Sequence, residues 1–143
     1  MLQTIIEAAS SFCQEQLGTQ KIELYESKKL ENGALVAYID IETPNDKKYR
    51  AYLAAEKEFV QFAAKVFLEE DDSDDDTIMD MARECTNLIV GSAKVIASKN
   101  GIDFTISTPH LEKVEALTHA FDESALLKCD GRTLFVALEH LQK

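Results

Sequence analysis

The sequence predicts an α+β fold, a largely antiparallel β-sheet with helices packed on it and one long central helix. Three observations lead there. Apolar residues recur at spacings of three and four in three segments, other segments alternate apolar with polar residues, and Asn32-Gly33 and Asp130-Gly131 are two-residue turn signals between such alternating runs. The order is helix, three strands, two helices and about three more strands, which reads as α+β. At 143 residues and 45% apolar content the chain suffices for one core, so residues 1–143 are expected to form a single domain.

Over residues 2–17, Leu2, Ile5, Ile6, Ala9, Phe12, Cys13 and Leu17 form a helical stripe that Gly18 ends. Lys21 to Ser27 alternates Ile22 and Leu24 with charged residues, as a half-buried strand does. Asn32-Gly33 would turn it into a second strand with Leu35, Ala37, Ile39 and Ile41 on one face, and Pro44-Asn45-Asp46 would turn that into a third over Tyr49 to Ala54. The three are expected to form an antiparallel meander in which Tyr25, Tyr38, Tyr49 and Tyr52 are mostly packing residues. A second helix follows, with Phe59, Phe62, Ala63, Val66 and Phe67 on its buried side.

Residues 69–76 read as an acidic loop, and Asp76 or Thr77 can cap the third helix, whose dipole favours the negative charge before it. That helix is expected to run to about Lys99 and stop at Asn100-Gly101, roughly 22 residues and about 33 Å long. Asp103 to Ser107 reads as a strand and Thr108-Pro109 as a break. Residues 110–122 give no clear pattern. Ala125–Cys129 and Thr133–Leu138 form a hairpin about Asp130-Gly131.

Composition excludes several function classes. A net charge of −11 repels phosphate backbones and anionic lipid, so neither nucleic acid nor a membrane surface is expected as a partner. Cys13, Cys85 and Cys129 are odd in number and widely spaced, which argues against a disulfide framework or a zinc site and for small buried hydrophobes. No signal peptide is expected, because Glu7 interrupts the first apolar stretch, and no apolar run is long enough to span a membrane. The expected location is cytoplasmic. The acidic loop fails as a calcium-binding loop: counted from Asp72, position six is Thr77 and position twelve Arg83, where glycine and glutamate are needed. His110, His119 and His140 have no metal-ligand spacing, and Ser10 and Ser11 have no partner histidine in evidence.

The third helix carries the chemistry. Ile78, Met81, Ala82, Cys85, Leu88, Ile89, Ser92 and Ile96 would face the sheet. Glu84, Asn87, Gly91 and Lys94 form a polar stripe of neighbours, with Glu84 and Asn87 aimed into the same small volume. Asn87 costs several tenths of a kcal/mol relative to alanine in mid-helix, and Gly91 up to about 1 kcal/mol. A glycine far from any helix end lets another backbone approach closely, so the stripe reads as a surface meant to be covered. The bland alternatives are a solvated Glu84, a locally bonded Asn87, a Gly91 that serves packing inside the fold, and a Lys94 that is a plain surface cation.

The run Glu84-Cys-Thr-Asn87-Leu-Ile-Val-Gly91-Ser-Ala-Lys94 resembles the Glu-x-x-Asn-x-x-x-Gly helix of the CheC, CheX and FliY chemotaxis phosphatase family. A single copy, with no second at Glu7 because Ser10 stands where asparagine would be, is similar to the CheX-like branch. The resemblance implies a CheX/CheC-like fold and dephosphorylation of the aspartyl phosphate of a CheY-like response regulator. It implies that Asn87 orients the attacking water, that Glu84 pairs with the receiver's lysine, and that Gly91 and Lys94 lie in the partner-binding face. No cofactor of its own is implied, Mg²⁺ being supplied by the partner receiver, and pairing into homodimers is a family habit. The rival readings are a non-catalytic CheX-like module that binds a receiver, motor or adaptor protein, and a structural subunit whose stripe is buried in a permanent interface.

Overall fold

The computed structural model describes residues 1–30, 34–70, 72–114 and 121–141. Its elements in chain order are α1 (Leu2–Glu15), β1 (Ile22–Tyr25), β2 (Ala34–Glu42), β3 (Lys48–Glu56), α2 (Lys57–Leu68), α3 (Asp75–Lys99), β4 (Thr105–Ile106), β5 (His110–Val114), β6 (Glu123–Cys129) and β7 (Arg132–His140). The strands make one seven-stranded sheet in the order β1-β6-β7-β3-β2-β4, with β5 also on β2, and every pairing is antiparallel.

Alternation explains how the sheet takes the helices. Leu35, Ile39 and Ile41 of β2, Leu53 of β3, Leu127 of β6 and Val136 of β7 all point to one face and share a core with α1, α2 and α3. The other face of the central strands buries Val36, Tyr52, Ala54, Phe135 and Ala137 with Leu30. Strands covered on both sides need apolar residues at successive positions, and Thr133 to Leu138 of β7 is buried throughout. Arg132 at the start of β7 lies 3.6 Å from the ring centre of Phe62, holding α2 against the sheet by a cation–π contact.

The first strand is not where a meander would put it. Strand β1 pairs with β6, from Ile22↔Cys129 to Tyr25↔Leu126, and three strands separate it from β2. Only β2 and β3 are joined as expected, through the turn at Pro44–Asp46, while Asn32-Gly33 falls outside the described residues. The tie comes from the hairpin turn: Asp130, with φ 51°, accepts from Lys21 N at 2.9 Å and Gln20 N at 3.1 Å, and its own N–H donates to Lys21 O. As an edge strand β1 leaves Leu24 at 56% exposure and Tyr25 exposed as well, so neither is the packing residue its alternation suggested.

Other boundaries shift for local reasons. The last turn of α2 exposes Val66 and Phe67, because the helix buries Phe59, Val60, Ala63 and Ala64 instead. The unassigned stretch after residue 109 begins with β5 on the outer edge of β2, end to end with the short β4, so four strands follow α3 and not three. Residues 115–120 lie outside the described region.

Candidate functional site

Helix α3 is 25 residues long, about 37 Å, and starts earlier than its sequence suggested. Its cap is Asp74, whose side chain accepts from Thr77 N at 2.8 Å, so Asp75 and Asp76 are already in the first turn. That position wins because it sets both carboxylates where the helix N-terminus favours negative charge. The backbone amide of Thr77 holds the Asp74 carboxyl below its ordinary range. Lys57 of α2 pairs with Asp75 at 3.8 Å.

Burial divides the helix lengthwise. Ile78, Met81, Ala82, Cys85, Thr86, Ile89, Val90, Ala93 and Ala97 are buried. Thr86 is polar but satisfied, its hydroxyl donating to Ala82 O at 2.9 Å. On the outward side Glu84, Asn87 and Lys94 are exposed and Gly91 is half-buried. Glu84 and Asn87 are three residues apart, which sets them about 4.5 Å apart along the axis and nearly in line. Neither side chain makes a hydrogen bond or ion pair with any described residue, so an acceptor-only carboxylate and an amide with both donors and an acceptor face outward uncommitted. The nearest cation on the helix, Arg83, is engaged with Asp80 at 3.3 Å.

Gly91 separates two explanations. A methyl group placed there would meet nothing within 4 Å. No close packing among the described residues therefore needs the glycine, and the space beside it is open.

Two neighbours of the stripe were missed by sequence pattern. Leu88, assigned above to the sheet-facing side, is 40% exposed, and Val95 is 55% exposed. Leu88 falls about 100° short of Ile89 around the axis, which rotates it out of the core and beside Asn87. Spacing was the available signal, since residues 84, 88, 91 and 95 follow one line along the helix. The expected core positions Ser92 and Ile96 are half-buried, and Val90, Ala93 and Ala97 fill the interface instead.

The thiol inside the motif is no nucleophile. Burial, with the Glu84 carboxylate beside it, pushes Cys85 up to about 12, so it stays protonated at neutral pH. Among the described residues no group of three or more His, Cys, Asp or Glu side chains is arranged to hold a metal ion. His110 stacks on Tyr38 with ring centres 5.0 Å apart, His140 meets Glu123 at 3.3 Å, and His119 lies outside the described residues. No described helix is long and apolar enough to cross a membrane.

A sequence model of the family described as chemotaxis phosphatase CheX matches residues 38–125, more than half the chain and all of α3. The chain belongs to the CheX family. Solved CheX-type structures share its fold. A chemotaxis protein CheX from Vibrio vulnificus superposes with a TM-score of 0.74 at 15% identity, covering 96% of each chain. A CheC-like superfamily protein from Shewanella sp. PV-4 gives 0.75 at 18% identity over 95% of this chain and 94% of its own. The CheX of a CheX–CheY–BeF3–Mg²⁺ complex from Borrelia burgdorferi gives 0.66 at 17% identity over 96% and 95%. No curated protein matches the chain by sequence.

Proposed function

We propose that this CheX-family chain hydrolyses the aspartyl phosphate of a CheY-like response regulator, with Asn87 and Glu84 as its working pair. The observation that carries the reading is the outward, uncommitted pair itself, one turn apart on a rigid helix inside the family-matched segment. The family is one of chemotaxis phosphatases, and the Borrelia relative was crystallised with CheY.

In this reading the stripe of α3 docks on the receiver's phosphorylation site. The Asn87 amide holds a water through one donor and one acceptor, in line with the phosphorus–aspartate bond. The water oxygen attacks phosphorus, the receiver's carboxylate leaves, and the water protons end on inorganic phosphate and solvent. An amide suits the task because it stays neutral beside a phosphate, whereas a carboxylate would repel it. Phosphoryl transfer of this kind needs positioning and charge stabilisation more than covalent help. Glu84 pairs with the receiver's lysine and sets the docking register; such a pair adds under about 1 kcal/mol while exposed and more once desolvated. Gly91 gives the receiver backbone room, Lys94 lies in the same contact, and Mg²⁺ comes with the receiver.

The test is the decay of a phosphorylated CheY-like receiver from the source organism with no addition, with the chain, and with Asn87→Ala. The reading expects accelerated decay with the chain and the unassisted rate with the variant, with no loss of Tm. Equal half-lives in all three arms reject it. A pulldown of phosphorylated receiver with no change in decay selects the non-catalytic binding module instead.

A further inference from the structure

Two thiols on distant parts of the chain touch inside the core. Cys13, near the end of α1, and Cys129, the last residue of β6, bring their Sγ atoms to 3.0 Å. They are 0% and 2% exposed, and both are free. Cys85 on α3 is free as well and bonded to neither.

We propose that Cys13 and Cys129 form a redox-modifiable pair that peroxide closes into an intramolecular disulfide. An S–S bond is about 2.04 Å long, so closure needs about 1 Å of approach. Both residues sit at element ends, Cys13 in the closing turns of α1 and Cys129 next to the Asp130-Gly131 turn. A reagent as small as peroxide reaches a buried thiol through local opening of the fold.

The chemistry balances with peroxide as the oxidant. The Cys129 thiolate attacks one peroxide oxygen, the O–O bond breaks, and the departing hydroxide takes up the thiol proton as water, leaving a sulfenic acid. The Cys13 sulfur attacks that sulfur, the S–O bond breaks, a second water carries off the Cys13 proton, and the S–S bond forms. Two thiols are oxidised and one peroxide is reduced to two waters. Cys129 is the more acidic partner, because its thiolate is stabilised by the Cys13 thiol and by the charge of Arg132. Pairing with Cys129 and burial push Cys13 upward, which makes it the resolving group.

The bond would link residues 116 positions apart and staple α1 to the β6–β7 hairpin, removing much of the freedom of the unfolded chain. None of this depends on the phosphatase reading. The experiment is peroxide treatment of the folded, fully reduced chain, followed by thiol titration in denaturant and peptide mapping under non-reducing conditions. Of the three thiols one should remain, Cys85, with Cys13 and Cys129 in one linked peptide. Tm should rise by on the order of 5 °C and fall back with dithiothreitol. The variant Cys85→Ala should keep the link. Three remaining thiols, a covalent dimer, a link through Cys85, or sulfinic or sulfonic acid without a link overturns the proposal. The wild-type map decides the matter even if a cysteine variant fails to fold.

Discussion

The two sides of α3 are made by different rules. On the inner side Cys85, Ile89 and Ala93 are buried and share one core with the sheet and the other helices. On the outer side, roughly 160° around the axis, Glu84 and Asn87 have no partner among the described residues and Gly91 has unused space. Stability is thus concentrated on one side of the rod, and the other side is held in place without being needed for folding. Substitutions on the two sides should fail in different assays.

The largest separation is expected from Ile89→Ala, which removes a fully buried side chain and should cost roughly 2–5 kcal/mol in denaturant unfolding. Its remaining folded fraction should still engage a receiver. Asn87→Ala is the mirror image, with stimulated receiver decay falling on the order of 10²–10³-fold and the unfolding midpoint held or slightly raised by alanine's helix preference. A matching loss of stability in that variant would erase the contrast.

Gly91→Ala sharpens it further. Alanine is favoured over glycine in mid-helix by about 1 kcal/mol, and no described residue obstructs the added methyl, so thermal melting should move upward. Receiver dephosphorylation should weaken at the same time, as a rise in KM. A more stable variant with unchanged KM would mean that no partner uses the space. Leu88→Gln should leave stability within about 0.5 kcal/mol, since Leu88 is a surface residue, and raise KM several-fold if the apolar fringe meets the receiver.

The smallest effect concerns acid. Asp130 is held below the usual carboxylate range by the backbone amides of Lys21 and Gln20. A depressed folded-state pKa adds stability above the unfolded value near about 4 and loses it as pH falls through the lower folded value. Asp130→Asn should therefore lower Tm modestly near pH 7, where the charged carboxylate contributes, and flatten the acid limb so that the variant and wild-type curves converge below about pH 4.

Features that depend on nearby residues could be read from the sequence. The three helices, the β6–β7 turn and the Glu84–Asn87 stripe rest on spacing within a few turns, and each is found within a few residues of its expected place. The partner of β1 could not, because Ile22 and Leu24 alternate alike beside β2 or β6, and the tie that decides it comes from Asp130, 109 residues on. The contact of Cys13 with Cys129 is hidden for the same reason, and spacing alone argued those cysteines apart. Leu88 shows a subtler limit: an apolar residue next to a buried position reads as core in the sequence, and only the helix rotation separates the two.

The strand order has a consequence for biosynthesis. Hairpin β6–β7 occupies the middle of the sheet, between β1 and β3, yet a ribosome delivers it after every other strand. Until residue 140 is clear of the exit tunnel, β1 and the β2–β3 pair have no common neighbour to dock on. The nascent chain must carry its amphipathic helices with the keystone missing, so the sheet closes after translation of this segment, in one late step of long-range pairing.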